Sequence, residues 1–408
     1  MNILIINQPP FNRGDESAHK GLIRSLLRRI PDASITVLTK QEWLESVRQY
    51  AVYEDRANYV CLPDNLLNLR RIKKLGLYTG LKCVWSLHPI IWYFRKYYKW
   101  ADIVVCAPGG ICMGGFQDWD HLFMLHLAKY YNKPLAYFGR SFGPFPTETK
   151  ANRIFKAQSI KMLNYFSFLS LRDSKSEKLA QEMGYSYIST VDTAFLDAPK
   201  VEIPYEIKRA IGDSPYMVFV PNYLLWHYAY KDKISHETIL SFYSRLMDII
   251  WEYNPDFNIV MLPQLFGRDY RYDVSDVSLF RDLAKMKDDS RVVITSDNYS
   301  SDVQQSVIAN SKYVIGARYH SIIFAINQDV PFISLSYEHK MIGLLETLDK
   351  KEWCIDFTNT FENETTQRET LERIKSLIPN LCKDPMIREK AKKIAENGMD
   401  QFIASLKK

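Results

Sequence analysis

Short apolar runs alternate along this chain with longer stretches in which apolar residues recur at helical spacing. Six runs in the first half have the length of buried strands: Ile3–Asn7, Ser34–Leu38, Asn58–Leu62, Ile103–Ala107, Leu135–Phe138 and Phe166–Leu171. Amphipathic helices are predicted between several of them, at Glu16–Ile30, His121–Tyr131, Ala151–Leu163 and Ser174–Met183. This alternation is typical of a parallel sheet flanked by helices.

The pattern is interrupted once, by a stretch rich in proline and acidic residues between residues 197 and 215, which predicts a domain boundary. Beyond it, strands are predicted at Tyr216–Val220, Asn258–Leu262, Arg291–Ile294, Tyr313–Ile315 and Phe332–Leu335. Helices are predicted at Ser235–Tyr253, Ser275–Lys285, Ser300–Ala309 and Ser321–Asn327. We therefore expect two doubly wound, Rossmann-like α/β domains facing a cleft, residues 1–200 and 215–364, and a helical tail over residues 365–408.

The composition is that of a globular cytoplasmic protein. Hydrophobic residues occupy 47% of the 408 positions, which excludes a disordered chain, and no uncharged apolar run of about 18 residues is present to cross a membrane. The first residues are predicted to form a strand and lack the features of a signal peptide. The six cysteines include no C-x-x-C pair, so we expect free, buried thiols in a reducing compartment.

Loops that follow strands are the candidate sites, because open parallel sheets bind ligands at the carboxyl ends of their strands. The loop after the first strand carries Asn12 and Asp15 on either side of Gly14, which permits a close backbone approach. This loop either presents a helix N-terminus to an anion or simply caps the helix.

The loop after the fourth strong strand is rich in glycine. Four glycines stand between residues 108 and 115, among them Gly109 and Gly110, which predicts that a ligand or a facing loop approaches the backbone. Their spacing matches neither the dinucleotide fingerprint nor the phosphate-binding P-loop.

Two acidic residues and two histidines near the next helix raise the question of a metal. Asp118 and Asp120 could hold a divalent ion beside a nucleotide sugar, but their place before a helix favours capping. His121 and His126 lie five apart, which is not the spacing of a zinc-binding H-E-x-x-H motif, and we interpret them as structural. We therefore expect no metal site.

Cations recur directly after predicted strands, where they can bind phosphate or carboxylate groups. Arg140 and Arg172 have such positions in the first half, and spacing alone does not distinguish binding from a structural role. In the second half, Arg318 and His320 stand two apart at the start of a helix, where an anion would meet an arginine, a helix N-terminus and a proton donor together. Lys340 follows the next strand and adds a second cation.

His339 is the alternative to His320 as general acid, because it lies in the loop that carries Lys340. A histidine flanked by an arginine after a strand is more often functional than a lone histidine, and this favours His320.

In this order, the motifs resemble those of the polysaccharide pyruvyl transferase family. The resemblance rests on Asn12-x-Gly-Asp-Glu16, Gly109-Gly110, Gly139-x-Ser-x-Gly-Pro144, Arg172-Asp-Ser, Asp192-x-Ala-Phe195, Leu262-Pro-Gln264, Arg318-Tyr-His320 and Tyr337-x-x-Lys340. It extends from about residue 2 to residue 348, and its most specific part runs from Gly316 to Lys340.

The resemblance implies an enzyme of glycosyltransferase-B-like architecture that forms a pyruvate ketal on a sugar. The donor would be phosphoenolpyruvate, the product phosphate, and the acceptor a bacterial surface polysaccharide precursor (exopolysaccharide or capsule), often linked to a lipid diphosphate. No metal or organic cofactor is implied. The predicted donor site consists of His320 as general acid and of the cations Arg318, Lys340, Arg140 and Arg172. The predicted acceptor or cleft residues are Asn12, Asp15, Gly109 and Gly110.

One segment differs in charge from the rest of the chain. Residues 65–100 contain eight Lys or Arg, eight aromatic residues and no acidic residue. This composition is typical of a peripheral membrane-binding surface; the alternative is an ordinary helical insertion with an aromatic core. For a cytoplasmic enzyme of the family that the motifs resemble, this surface would bind the inner face of the cytoplasmic membrane. A nucleic-acid surface would use the same residues, but no nucleic-acid fold signature supports one. The candidate membrane residues are Arg70, Arg71, Lys73, Lys74, Trp92, Arg95, Lys96 and Lys99.

Two other functions remain open from the sequence alone. A nucleotide-sugar-dependent glycosyltransferase uses the same architecture and differs from a pyruvyl transferase in its donor. A non-catalytic scaffold of the assembly machinery would leave the polymer unchanged when His320 is replaced, whereas either enzyme would not.

Overall fold

The computed structural model describes residues 1–8, 12–40, 54–62, 70–80, 82–87, 89–110, 113–114, 117–227, 230–231, 233–265, 276–295 and 299–407. The chain forms two compact units. The first comprises Met1–Pro10, Asp15–Asp197 and Lys393–Lys408, and the second comprises Phe11–Gly14 and Ala198–Lys392. The stretch from 365 to 408, which we expected to be a separate tail, is therefore divided between the two units.

The first unit is built on a parallel sheet of seven strands. They are β1 (Asn2–Ile6), β2 (Ser34–Lys40), β3 (Ala57–Leu62), β4 (Ile103–Cys106), β5 (Leu135–Tyr137), β6 (Phe168–Leu171) and β7 (Ile188–Ser189). Their order across the sheet is β3-β2-β1-β4-β5-β6-β7, and every pairing is parallel. The central strand β1 is fully buried from residue 3 to residue 6, as expected for a strand covered on both faces.

In the described part of the first unit, six helices connect these strands or lie between them. They are α1 (Arg13–Arg29), α2 (Arg70–Thr79), α3 (Pro89–Trp100), α4 (Trp119–Tyr130), α5 (Lys150–Leu163) and α6 (Ser174–Glu182). Side chains cap several of them: the oxygens of Asp118, Thr149 and Asp173 accept backbone N–H groups of the first turns of α4, α5 and α6.

The second unit repeats this plan. Its strands are β8 (Tyr216–Val220), β9 (Asn258–Met261), β10 (Val292–Ile294), β11 (Val314–Gly316), β12 (Phe332–Ser336) and β13 (Cys354–Asp356). They form a parallel sheet in the order β10-β9-β8-β11-β12-β13. The remaining helices are α7 (Tyr205–Ile211), α8 (His236–Tyr253), α9 (Asp276–Lys287), α10 (Ser301–Ala309), α11 (Tyr319–Asn327), α12 (His339–Thr347), α13 (Glu364–Leu377) and α14 (Pro385–Ser405).

The prediction of two doubly wound α/β halves is confirmed. In each sheet the first strand of the unit pairs with the second on one side and the fourth on the other, which is the Rossmann order. The short strands β7 and β13 were not predicted from the sequence. Among the described residues, no helix is long and apolar enough to cross a membrane.

The last helix, α14, ends in the core of the first unit. Phe402 is fully buried, and its ring lies 5.3 Å from that of Phe138 and 5.0 Å from that of Phe168. Arg29 of α1 pairs with Glu396 and, at 2.9 Å, with Asp400. The end of α14 therefore packs into the core of the unit that contains the first strands of the chain.

The cysteines are less uniformly buried than expected. Cys106 and Cys354 are buried free thiols, but Cys83 and Cys382 are exposed. The expectation of buried thiols therefore holds for two of these four and is wrong for the other two.

Candidate active site

The polar residues of the second unit gather where its strand order reverses. β8 and β11 are neighbours in the sheet although two strands separate them in sequence, and such a switch point leaves a crevice for ligands. Asn222 lies just beyond β8, and Arg318 lies just beyond β11. The next strand, β12, pairs with β11 and leads to Lys340. The predicted site residues of the second half therefore lie on loops of adjacent strands.

A tight turn carries the chain from β11 into α11. At Gly316, a Cβ atom would lie 2.1 Å from Oγ of Ser321, so the turn has no room for a side chain there. The hydroxyl of Ser321 donates to the carbonyl of Arg318 at 2.5 Å. The turn thereby places Arg318 at the N-cap of α11 and His320 in its first turn, at the positive end of the helix dipole.

Asp276, at the start of α9, holds the guanidinium of Arg318. Nε of Arg318 donates to Oδ1 of Asp276 at 3.0 Å, and Nη2 binds the same oxygen. Oδ2 of Asp276 accepts the backbone N–H groups of Gln264 and Leu265 at 3.0 and 2.8 Å. Burial lowers the pKa of Arg318, but Asp276 and Tyr337 outweigh it, so the pKa is raised. The pair orients a permanently charged guanidinium, which has further N–H donors for an anion.

His320 is packed closely against the polypeptide backbone. It is 7% exposed, and its ring lies 5.1 Å from the ring of Tyr319 and 6.3 Å from that of Phe324. A Cβ atom on Gly14 would lie 1.9 Å from Nδ1 and 2.1 Å from Cγ of His320. The close approach that Gly14 permits is therefore an approach to the imidazole itself.

The loop before α1 is joined to the second unit through its backbone. The N–H of Arg13 donates to the carbonyl of Gln264 at 2.9 Å. Oδ1 of Asn12 accepts the N–H of Gly14 at 2.8 Å, which is a helix-capping contact. Asp15, the next residue of α1, belongs to the first unit. Asn12 thus helps to hold Gly14 where it meets His320.

Lys340 lies at the start of α12 beside a carboxylate. Its Nζ is 2.8 Å from Oε2 of Glu338 and 5.8 Å from the ring centre of Tyr319. Oε1 of Glu338 lies 3.7 Å from Nε2 of the buried His227. Burial lowers the pKa of His227, and Lys340 lowers it further, while Glu338 opposes this only in part. His227 is therefore neutral at pH 7, and Glu338 balances the charge of Lys340.

Aromatic rings surround these charges. The guanidinium of Arg318 lies 6.0 Å from the ring centre of Trp226. Trp226 in turn meets Tyr337 and His227 edge-on, with ring centres 5.9 and 5.5 Å apart. The indole N–H of Trp226 donates to Oδ1 of Asn222 at 3.1 Å. The cations thus lie among rings and amides, where electrostatic interactions are stronger than in water.

Several residues of this group were not among the predicted site residues, among them Trp226, His227, Asp276 and Glu338. Trp226 and His227 lie in the loop after β8, so the rule that ligands bind beyond strands offered a signal for them. No such signal existed for Asp276, because acidic residues are common in the first turn of a helix, where they stabilise the helix dipole.

The other two predicted donor cations lie in the first unit and are engaged there. Arg140 is fully buried, and its Nη1 donates to the carbonyl of Ala107 at 2.5 Å. Arg172 binds Asp192 through Nη1, and its Nε reaches Oγ of Ser141 at 3.5 Å. These contacts give both arginines a structural role, and their part in donor binding stays a prediction.

The glycine-rich loop meets a facing loop, which was one of the two expectations for it. A Cβ atom on Gly114 would lie 2.5 Å from the backbone nitrogen of Gly143, and the two glycines form a parallel bridge. Gly109 bridges Arg140 in the same way. At Gly110, by contrast, a Cβ atom would meet nothing within 4 Å, so this backbone faces open space.

The Asp-x-Asp pair caps a helix, as favoured from the sequence. Oδ1 of Asp118 accepts the N–H groups of Asp120 and His121 at 2.9 Å each, and Asp120 pairs with the buried Lys73. His121 and His126 are buried, and burial lowers the pKa of His121 well below its usual value, which agrees with a structural role. In the part of the chain that the structure describes, no three His, Cys, Asp or Glu residues are grouped to hold a metal.

The predicted membrane residues divide into buried and exposed ones. Lys73 is buried in its ion pair, and Lys74 is half-buried with its Nζ 5.9 Å from the ring centre of Trp119. Arg70 and Arg71 belong to α2, and their side chains fall outside the described residues. The exposed ones all lie on α3: Trp92, Arg95, Lys96 and Lys99.

Solved structures with a similar fold include the UDP-GlcNAc 2-epimerase of Neisseria meningitidis bound to UDP-GlcNAc and Arabidopsis thaliana UGT89C1 complexed with UDP. The epimerase superposes with a TM-score of 0.56 at 12% identity, over 100% of this chain and 99% of that chain. For UGT89C1 the TM-score is 0.53 at 11% identity, over 99% of both chains. At these identities the likeness shows the fold alone, which is glycosyltransferase-B-like.

Comparison of sequences shows the family. The amylovoran biosynthesis protein AmsJ of Erwinia amylovora is 24% identical over 384 residues, which cover 87% of this chain and 88% of that protein. The family model "Polysaccharide pyruvyl transferase" matches residues 12–339, from the loop before α1 to the start of α12. The match spans Gly14, Asp276, Arg318 and His320, whose contacts build the site described above. The chain therefore belongs to the polysaccharide pyruvyl transferase family.

Proposed function

We propose that the protein transfers an enolpyruvyl group from phosphoenolpyruvate to a sugar of a bacterial surface polysaccharide precursor and closes it as a pyruvate ketal. The observation that carries this proposal is the placement of Arg318, His320 and Lys340 beyond the adjacent strands β11 and β12 of a chain of this family. The donor carries a carboxylate and a phosphate in a small volume, so its site requires cations and N–H donors close together.

In this proposal, Arg318 and Lys340 bind the anionic groups of the donor at the N-terminus of α11. Asp276 orients Arg318 before the donor arrives, and Glu338 does the same for Lys340 at 2.8 Å. Such preorganisation reduces the entropy lost on binding. The neutral, buried His227 adds no positive charge, so within the described part of this group the cations are Arg318 and Lys340.

His320 is the proposed general acid. It protonates the methylene carbon of phosphoenolpyruvate, and a sugar hydroxyl attacks the oxocarbenium-like centre that results. Phosphate then leaves, and a second hydroxyl attacks the same carbon to close the ketal. Of the two hydroxyl protons released, one replaces the proton that His320 gave to the new methyl group, and the other leaves with phosphate. The close packing of His320 on Gly14 supports this role, because a general acid must be held in one orientation.

For the acceptor, we infer a saccharide, and membership of this family favours one that is linked to a lipid diphosphate. Asn12, Asp15, Gly109 and Gly110 stay the predicted acceptor residues. The open space beside Gly110 supports this, because a sugar ring can approach a backbone that has no side chain. Arg140 and Arg172 remain secondary candidates for donor binding.

A complementation experiment in the producing bacterium tests the reaction even though the acceptor sugar is unidentified. The gene is deleted, and the surface polymer is examined by proton NMR for the methyl signal of pyruvate ketals. Wild-type protein and the H339N variant should restore the signal, whereas H320N should not. Restoration by H320N together with loss in H339N would assign the general acid to His339. An unchanged polymer in the deletion strain would contradict the proposed function.

Purified protein tests the donor directly. Phosphoenolpyruvate with lipid-linked saccharides extracted from the deletion strain should release phosphate, and the H320N variant should release at least about 100-fold less, as is typical when a general acid is removed. Transfer that requires a nucleotide sugar and ignores phosphoenolpyruvate would instead show a glycosyltransferase.

A further inference from the structure

The exposed face of α3 combines three cations with a large aromatic ring. Trp92 is 64% exposed, and Arg95, Lys96 and Lys99 are exposed as well. Their spacing of three, four and seven residues from Trp92 places all four on one side of the helix. The guanidinium of Arg95 lies 5.9 Å from the ring centre of Trp92.

The opposite side of α3 fixes this face to the first unit. Ile91, Phe94 and Tyr98 are at most 3% exposed and belong to the core of the unit. The hydroxyl of Tyr98 donates to the carbonyl of Met124 at 2.8 Å, and that of Tyr131 donates to the carbonyl of Ile91 at 2.7 Å. The helix is therefore not a loose insertion, and its aromatic residues have two distinct uses: most form core, while Trp92 faces outward.

The charge of the molecule is concentrated in this region. The chain has a net charge of +6, and residues 65–100 contribute +8, so all other residues together sum to −2. No acidic residue between residues 65 and 100 offsets the cations of α3. Electrostatic attraction to an anionic surface would therefore act mainly on this segment, to which the three exposed cations of α3 belong.

From this geometry we infer that the face formed by Trp92, Arg95, Lys96 and Lys99 docks the protein onto an anionic lipid bilayer. The cations meet lipid phosphates, and the indole of Trp92 enters the interfacial region, where amphipathic rings are most stable. A second copy of the chain is a poorer occupant, because a two-fold interface would set these cations against each other. A nucleic acid is also poorer, because Arg95 lies near the ring face on which a base would stack.

Vesicle sedimentation tests the docking of the full-length protein. Wild-type protein should bind phosphatidylglycerol-containing vesicles and not pure phosphatidylcholine vesicles, and binding should fall steeply between about 0.1 M and about 0.5 M salt. Each cation near an anionic bilayer strengthens binding about fivefold, so the triple variant R95A/K96A/K99A should bind roughly 100-fold more weakly. The W92A variant should lose affinity also at low salt.

A matched control removes three other exposed lysines from the same unit. The variant K161A/K175A/K178A loses the same charge from α5 and α6, and it should bind like wild type. Equal weakening by both triple variants would show that net charge alone matters and would overturn the inference. Three other results would overturn it as well. The wild-type protein fails to bind the anionic vesicles, it binds single-stranded DNA more tightly than vesicles, or it self-associates in a way that R95A/K96A/K99A abolishes. Unchanged melting temperatures confirm that the variants are folded. Phosphate release with the acceptor dissolved in detergent, where no bilayer is present for docking, should persist in R95A/K96A/K99A.

Discussion

The contact between Gly14 and His320 leads to a prediction in which one substitution lowers activity much more than it lowers stability. In the variant G14A, the new Cβ atom would lie 1.9 Å from Nδ1 of His320, whereas ordinary contacts begin at 3.4 Å. The imidazole or the backbone must therefore move by about 1.5 Å, and a misplacement of about 1 Å at a reacting group can reduce a rate about 100-fold. We expect the kcat of phosphate release to fall roughly 100-fold.

The stability of the G14A variant should change less than its activity. Gly14 lies within α1, where alanine is favoured over glycine by up to about 1 kcal/mol, so helix propensity offsets part of the steric cost. The assay is phosphate release at saturating phosphoenolpyruvate, with thermal melting measured in parallel. The control is K161A on the exposed side of α5, which lies outside this contact and should keep both kcat and melting temperature near those of wild type. A kcat for G14A within twofold of wild type would refute the reasoning.

Two further predictions concern stability. In D276N, the buried guanidinium of Arg318 loses its counter-charge, so urea denaturation should show a loss of about 3 kcal/mol in the free energy of unfolding. The control is D282N on the same helix as Asp276; it breaks a more exposed pair with His236 and should cost less than about 1 kcal/mol. Equal losses in the two variants would contradict the role assigned to Asp276. Burial lowers the pKa of His19 to about 3, so the unfolded chain binds a proton below pH 6.5 that the folded chain does not. Stability should therefore fall by about 1.4 kcal/mol per pH unit between pH 6 and pH 4 because of this residue, and H19Q should remove that part of the slope; parallel pH profiles for H19Q and wild type would contradict it.

The sequence predicts the doubly wound fold well because its strands are buried on both faces. Residues 3–6 of β1 and 216–220 of β8 form unbroken apolar runs, and such runs are typical of central parallel strands. β7 has two residues and β13 ends in the exposed Asp356, so neither has enough apolar positions to be recognised. The order of the strands follows from tertiary packing, which no local pattern contains.

The site was predictable only as far as residue type and position after a strand could identify it. Arg172 and Arg318 occupy equivalent places in the sequence pattern, and both are paired with buried aspartates in the structure. Their partners, Asp192 and Asp276, are distant in sequence, so no spacing rule identifies them. The sequence likewise indicates that the loop needs a glycine at position 14, but it does not show that this glycine contacts His320.

The return of α14 to the first unit has a consequence for the order in which the protein matures. A ribosome releases residues 1–197 long before residues 393–408, yet the buried Met399 and Phe402 of α14 belong to the core of that first unit. The first unit thus stays incomplete throughout the synthesis of the second and reaches its final packing only after residues 393–408 have left the ribosome. A nascent chain stalled before residue 393 should therefore be far more sensitive to protease in its first half than the released protein.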